Sequence, residues 1–196
     1  MAEDTRARIL AACAAVIARS GLARFRMSDV AREAGVSIGL LAYHFGDRDG
    51  LLEAALEEVT ASAMRRADAA PESRTASARL AALLCSEFGD DPAIRAGSTA
   101  WNELRAAAVF DRDRSAAVSR STSAWQEAVR ELVARTAPGT DAAGTALALT
   151  ALVEGLSGRW LTGQLTAAEA QTTVRRTLAA LGLGAERNGP RPPVPS

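Results

Sequence analysis

Residues 28–45 read SDVAREAGVSIGLLAYHF, and this stretch decides how the rest of the chain is understood. Ser28 carries a short hydroxyl that can accept a hydrogen bond from one of the unpaired N–H groups opening a helix, so 28–34 is predicted as a short capped helix. Gly35 ends it, because glycine tolerates the left-handed backbone that a helix terminus usually needs. Val36 is apolar enough to plug the turn, and Ser37 caps a second helix reaching Phe45. Two short helices joined by a tight glycine-containing turn form a DNA-reading unit.

Spacing assigns the faces. Val30, Ala31 and Ala34 fall three or four apart on the first helix and Leu41 and Phe45 four apart on the second, giving each an apolar side. Ile38, Gly39, Leu40, Ala42, Tyr43 and His44 remain as the DNA-facing candidates, some of the apolar ones being partly packed. Upstream, Asp4 or Thr5 opens a helix to about Ser20, with Ile9, Leu10, Cys13, Val16 and Ile17 on one stripe and Gly21 as its stop. Downstream, Asp47 caps a helix over 48–66, roughly 28 Å long, enough to join two domains rigidly.

Composition narrows the function. The 196 residues suffice for a small domain and a larger one; alanine dominates and aromatics make up only 4%, so the expected class is all-α with about nine helices. All 23 basic residues are arginine, which removes the phosphate-binding lysine of nucleotide-binding loops and the lysine of a pyridoxal Schiff base. The zero net charge gives nucleic-acid binding little support by itself. One His and two Cys assemble no zinc set, and Cys13 and Cys85 are read as reduced core thiols, so neither metal nor cofactor is expected. No signal peptide or membrane-length apolar run is visible, and a soluble cytoplasmic protein is expected.

Further along, Pro71 and 72–75 mark a break. Predicted helices follow over 78–88, stopped by Gly89; from Pro92 to about Ala108; from Asp111 to before Pro138; over 141–163; and over 167–181. The helix over 141–163 is apolar more broadly than one buried stripe requires, and Gly155 and Gly158 thin its side-chain bulk. From Ala185 on, four prolines and polar residues suggest a disordered tail.

The ordered string Ala34, Gly35, Val36, Ser37, Gly39, Leu41, Tyr43, His44, Phe45, Arg48 and Leu51 resembles the signature of the TetR family of transcriptional repressors. Within it, 35–52 is most similar to repressors of choline and betaine metabolism, departing from the commoner pattern at Leu40 and Ala42. The resemblance covers roughly residues 5–56. It implies a helix-turn-helix domain over 1–47, a helical ligand-binding and dimerisation domain over 48–184 and a tail over 185–196. It further implies no enzymatic activity, but a homodimer that binds a double-stranded, inverted-repeat operator and releases it on binding a small-molecule effector.

In that frame Tyr43 and His44 donate to phosphate, and Ile38 and Leu40 meet thymine methyls. Ser28 and Ser37 set helix ends against the DNA backbone, as does Arg48, where the family usually has lysine. The last two helices pair with their copies, through Leu149, Leu152 and Leu156 on one and Leu178 on the other; burial within one subunit is the alternative. Trp101, Trp125 and Trp160, with Phe88 and Glu103, are candidate effector contacts, as an aromatic cage for a quaternary ammonium or as plain core. An activator of the same fold and a sequence-nonspecific architectural DNA binder remain alternatives.

Overall fold

The computed structural model describes residues 2–70 and 75–184. Among the described residues there are nine α-helices and no strand. They are α1 (Ala2–Ser20), α2 (Met27–Ala34), α3 (Ile38–Phe45), α4 (Arg48–Ala69), α5 (Ala76–Cys85), α6 (Pro92–Ala108), α7 (Arg112–Thr136), α8 (Ala142–Leu161) and α9 (Ala167–Ala180), with a 3₁₀ turn over Leu22–Arg24. Of the break expected over 71–75, residues 71–74 lie outside the described residues, as does the tail from 185, while Thr75 caps α5.

Most helix starts carry the cap their sequence predicts. The carboxylates of Asp47, Asp91, Asp111 and Asp141 accept first-turn backbone N–H groups, and Thr166 with Glu169 forms a reciprocal capping box. Several boundaries differ from expectation. Helix α1 starts at Ala2, ahead of Asp4 and Thr5, and α4 runs on to Ala69, past Arg66. Ser28 does not cap α2; the cap residue is Arg26, without a side-chain bond, and Ser28 lies exposed inside the first turn. Met27, drawn against the core, starts the helix before Ser28 is reached. Helix α5 stops at Cys85 instead of Phe88: the Ser86 hydroxyl donates back to the Leu83 carbonyl at 2.8 Å, and the Gln171 amide donates to the Phe88 carbonyl at 2.8 Å. The chain is thereby turned so that the Phe88 ring enters the core.

Two apolar clusters result. The first joins Ile9, Cys13, Val16 and Ile17 of α1 to Val30 and Leu41, to Leu51, Leu52 and Leu56 of α4, and to Ala100 and Leu104 of α6. The second is built from Leu80, Leu84 and Phe88, Val129 and Val133, Leu149, Val153 and Trp160, and Val174 and Leu178, with Ala63 and Ala67 from the far half of α4. Helix α4, 22 residues and roughly 33 Å long, therefore contributes to both. Cys13 and Cys85 are buried free thiols; burial pushes the Cys13 thiol up to about 12, with Arg48 opposing weakly.

The interface leucines need correction. Leu149, Leu156 and Leu178 fill the chain's own second core, at 1%, 8% and 1% exposure, and Leu152 is half-buried against it. Burial within the subunit leaves the first three no free face for a partner. The outward side of α8 carries small residues instead, Gly144, Ala148, Ala151 and Gly155, beside Leu147 at 58% exposure.

The junction between α3 and α4 is tight. A Cβ at Gly50 would lie 2.2 Å from the Phe45 carbonyl oxygen, a backbone atom that cannot rotate away. Gly50→Ala is expected to destabilise the chain by about 1–3 kcal/mol despite alanine's better helix propensity, read by urea denaturation. Unchanged or raised stability would show that the junction is looser than this.

Candidate nucleic-acid interface and ligand cavity

The reading helix is held from beneath and open above. Gly35 adopts φ 64°, ψ 39°, and the Val36 N–H reaches the Ala31 carbonyl at 3.0 Å, closing α2 in a left-handed glycine cap. Arg8 Nε donates to the Ala34 carbonyl at 3.0 Å, fastening that end to α1. The Ser37 hydroxyl accepts the Leu40 N–H at 3.1 Å, and Leu41 is fully buried. Opposite Leu41, Ile38, Gly39, Ala42 and Tyr43 are exposed, Tyr43 at 81%, while Leu40 and His44 are half-buried. Tyr43 and His44 meet edge-on, ring centroids 5.3 Å apart, which limits their side-chain freedom.

The nearby arginines are mostly engaged within the protein. Arg48 stacks 5.5 Å over the Phe25 ring and its Nη2 donates to the Leu22 carbonyl at 3.4 Å. Arg6 lies 5.6 Å over the Phe45 ring. Arg48 thus ties the start of α4 to the 3₁₀ turn in this structure, a bracing role that the sequence did not suggest.

A small, partly open cavity of about 40 Å³ lies between α4, α6, α7 and α8. Its wall contains the indoles of Trp101 and Trp125 and the carboxylates of Glu87 and Glu154, with no basic residue. Polar groups complete it: Asn102 Nδ2 donates to Ser157 Oγ at 2.9 Å, and Thr60 and Ser121 share a hydrogen bond of 2.9 Å. The Thr150 hydroxyl, also in the wall, is buried with no hydrogen-bond partner among the described residues. Such an unpaired group costs about 1–3 kcal/mol, which a polar ligand atom can offset.

Of the five residues expected around an effector, the fold brings only Trp101 and Trp125 to this wall. Phe88 and Trp160 pack edge-on against each other at 5.9 Å in the second core, with Arg95 5.3 Å over the Trp160 ring. Glu103 points the other way and accepts the Leu22 N–H at 2.9 Å. Sequence reasoning passed over Asn102 and Thr150, and did not place Glu87 among the effector contacts. Glu154, an acid within the otherwise uncharged run of α8 from Ala142 to Gly158, was the one legible signal for a polar cavity.

Each of the two wall acids has an arginine acting on it that is not itself part of the lining. Arg105 Nη1 donates to Glu154 Oε2 at 2.8 Å. Burial pushes Glu87 up to about 7, and the Arg66 charge opposes that rise. Arg66 itself donates to the Ser86 carbonyl at 3.0 Å. Among the described residues no group of three or more His, Cys, Asp or Glu is placed to hold a metal ion, and no helix is long and apolar enough to cross a membrane.

A glycine-hinged helix pair with its second member exposed, joined by a long helix to a larger helical body, is the architecture of a helix-turn-helix DNA-binding regulator. The chain belongs to the TetR family of bacterial regulatory proteins: residues 9–55 match that family's N-terminal model, and residues 76–183 match the C-terminal model of BetI-type transcriptional repressors. It is 29% identical to the HTH-type transcriptional regulator BetI of Burkholderia lata over 184 residues, 91% of this chain and 92% of that one. The crystal structure of a TetR-family regulator from Rhodococcus sp. superposes with a TM-score of 0.85 at 38% identity, covering 91% of this chain and 98% of the other. A regulator from Saccharomonospora viridis in complex with choline shares the fold, with a TM-score of 0.73 at 22% identity, over 90% and 96% of the two chains. The protein is therefore a DNA-binding transcriptional regulator, and its relatives are regulators rather than enzymes.

Because the native chain holds the Glu87 proton more tightly than an unfolded chain does, stability falls as pH rises from about 4.5 to about 7 and is level beyond. Glu87→Gln is expected to be about 1–3 kcal/mol more stable than the parent at pH 8 and to lose that advantage towards pH 4.5. Thermal unfolding at the two pH values checks it; equal differences at both would rule out a strained carboxylate.

Proposed function

We propose that this regulator is a repressor that binds an inverted-repeat operator as a homodimer and is released by a small organic cation. Residues 1–47 read DNA, and 48–184 bind the effector and pair the subunits. The observation that carries the effector class is the cavity wall: two indole rings and two carboxylates with no basic residue among them. Indole faces attract a cation through their quadrupole, and carboxylates do so by charge. The unpaired Thr150 hydroxyl suits a ligand that also carries a hydroxyl. Choline has both features, and it is the molecule in the Saccharomonospora viridis complex. Choline is expected to quench Trp fluorescence and to bind roughly tenfold or more tightly than its uncharged isostere 3,3-dimethylbutan-1-ol. Equal affinity for the two would reject a cation site.

On the DNA side, Ile38, Gly39, Leu40, Ala42, Tyr43 and His44 face the major groove from α3, the exposed members making the first contacts. Ser28 and Ser37 bring the starts of α2 and α3 to the phosphates, where helix N-termini favour negative charge. Arg48 reaches phosphate only by leaving the Phe25 ring. Tyr43→Ala, at a site 81% exposed, is expected to weaken binding to an operator selected from random duplexes by about tenfold without loss of stability. Electrophoretic shift and thermal melting read the two effects, and unchanged operator affinity would displace Tyr43 from the interface.

The pairing surface is the small-residue side of α8 with the outer side of α9. Gly155 and Gly158 have no neighbouring atom within 4 Å of an added Cβ, leaving room for a partner helix to approach closely. Ala151→Glu sets like charges against one another only if two copies meet there. The variant is expected to sediment as a monomer and to lose cooperative operator binding; a dimer that persists at micromolar concentration would place the interface elsewhere.

A further inference from the structure

Arg105 already makes the contacts that a cationic effector would seek. Its guanidinium carbon lies 5.0 Å from the centre of the Trp101 ring, and its Nη1 donates to Glu154 at 2.8 Å. Trp101 and Glu154 both belong to the cavity wall, whereas Arg105 borders a surface groove beside Gly158 and Leu161. One turn of α6 separates Trp101 from Arg105, so the ring and the arginine share a helix face.

We propose that Arg105 is a self-supplied cation that occupies Trp101 and Glu154 when the cavity is empty, and that a cationic effector binds by displacing it. This rests on the cation-site reading above and deepens it, because Arg105 then sets both the affinity and the threshold of response. A ligand competing with an internal occupant binds only to the fraction of molecules in which the occupant has left, so its apparent dissociation constant is raised by the inverse of that fraction. Arg105 has an exit: its side chain is 40% exposed, and the adjoining groove is open to solvent.

Displacement also has a direct route to the DNA-reading unit. Two residues before Arg105, Glu103 accepts the Leu22 N–H at 2.9 Å, and Leu104 between them is buried in the first core. Any rotation or shift of this turn of α6 that follows release of Arg105 acts on the 3₁₀ turn beneath α2. By linkage, operator DNA that favours the arrangement with Arg105 seated weakens effector binding by the same factor.

Arg105→Gln retains length and a hydrogen-bond donor but removes the competing charge; Arg105→Lys keeps the charge. Titration of choline and of tetramethylammonium into the full chain, followed by Trp fluorescence at pH 8, is expected to show about tenfold tighter binding to Arg105→Gln and near-parental binding to Arg105→Lys. Ethylguanidinium, a mimic of the missing side chain, should raise the melting temperature of Arg105→Ala and leave the parent unaffected. If choline binds the parent and Arg105→Gln equally, or binds the variant more weakly, the displacement proposal fails while the cation site stands. If neither ammonium ion binds the parent or Arg105→Gln, both readings fail together. Binding to the variant alone supports displacement with the occupant dominating.

Discussion

A stretch of α6 under two turns long, residues 100–105, is shared between the two halves of the molecule. Ala100 and Leu104 are sunk in the first core among α1 and α4 side chains, while Trp101 and Asn102 line the cavity. Glu103 holds the backbone of the 3₁₀ turn, and Arg105 reaches to Glu154 on α8. Close-packed interiors deform in discrete steps rather than smoothly, so a helix committed on both sides transmits a change at one side to the other. Helix α4 reinforces the arrangement, with Leu52 and Leu56 in the first core and Ala63 and Ala67 in the second. Helices α4 and α6 thus connect the core beneath the DNA-reading unit to the cavity wall.

The electrostatics of the cavity follow from the same economy of space. Glu87 and Glu154 line a largely apolar wall that holds no basic residue, the Arg66 charge acting on the first and Arg105 hydrogen-bonded to the second. Burial disfavours the ionised form of Glu87 and raises its proton affinity toward neutrality. A permanent cation entering the space would reverse that penalty by supplying the opposite charge. The two indoles contribute attraction without needing a proton or a counter-ion, which is why aromatic walls suit quaternary ammonium groups that donate no hydrogen bonds.

The helices and their caps were largely legible from the chain alone because their causes are local. Gly35 in the left-handed region, Ser37 on the Leu40 N–H and Asp47 at the head of α4 each involve residues within a turn of one another. The reading helix was legible for the same reason, as a short apolar side, a hinge glycine and an exposed remainder. Ser28 was misread because a partly buried methionine beside it starts the helix first, and the end of α5 because Gln171, 83 residues beyond Phe88, captures the Phe88 carbonyl. Both failures are cases of tertiary packing overriding local preference.

Apolar periodicity in the sequence determined that the chain would be helical, that it would carry a glycine-hinged reading unit, and that α8 had more apolar surface than one stripe requires. It did not determine which side of α8 turns inward. Leu149 and Leu156 and the small residues Ala148, Ala151 and Gly155 all fit a helical repeat, and only assembly against α7 and α9 sent the leucines to the core and left the small residues outside. The same holds for the tryptophans: Trp160 was drawn to Phe88, whereas Trp101 and Trp125 came to face a common space with Glu87 and Glu154. Secondary structure depends on neighbours in sequence, while a cavity is the space left where several helices fail to fill one another's grooves, and that remainder is set only by the packing of the whole chain.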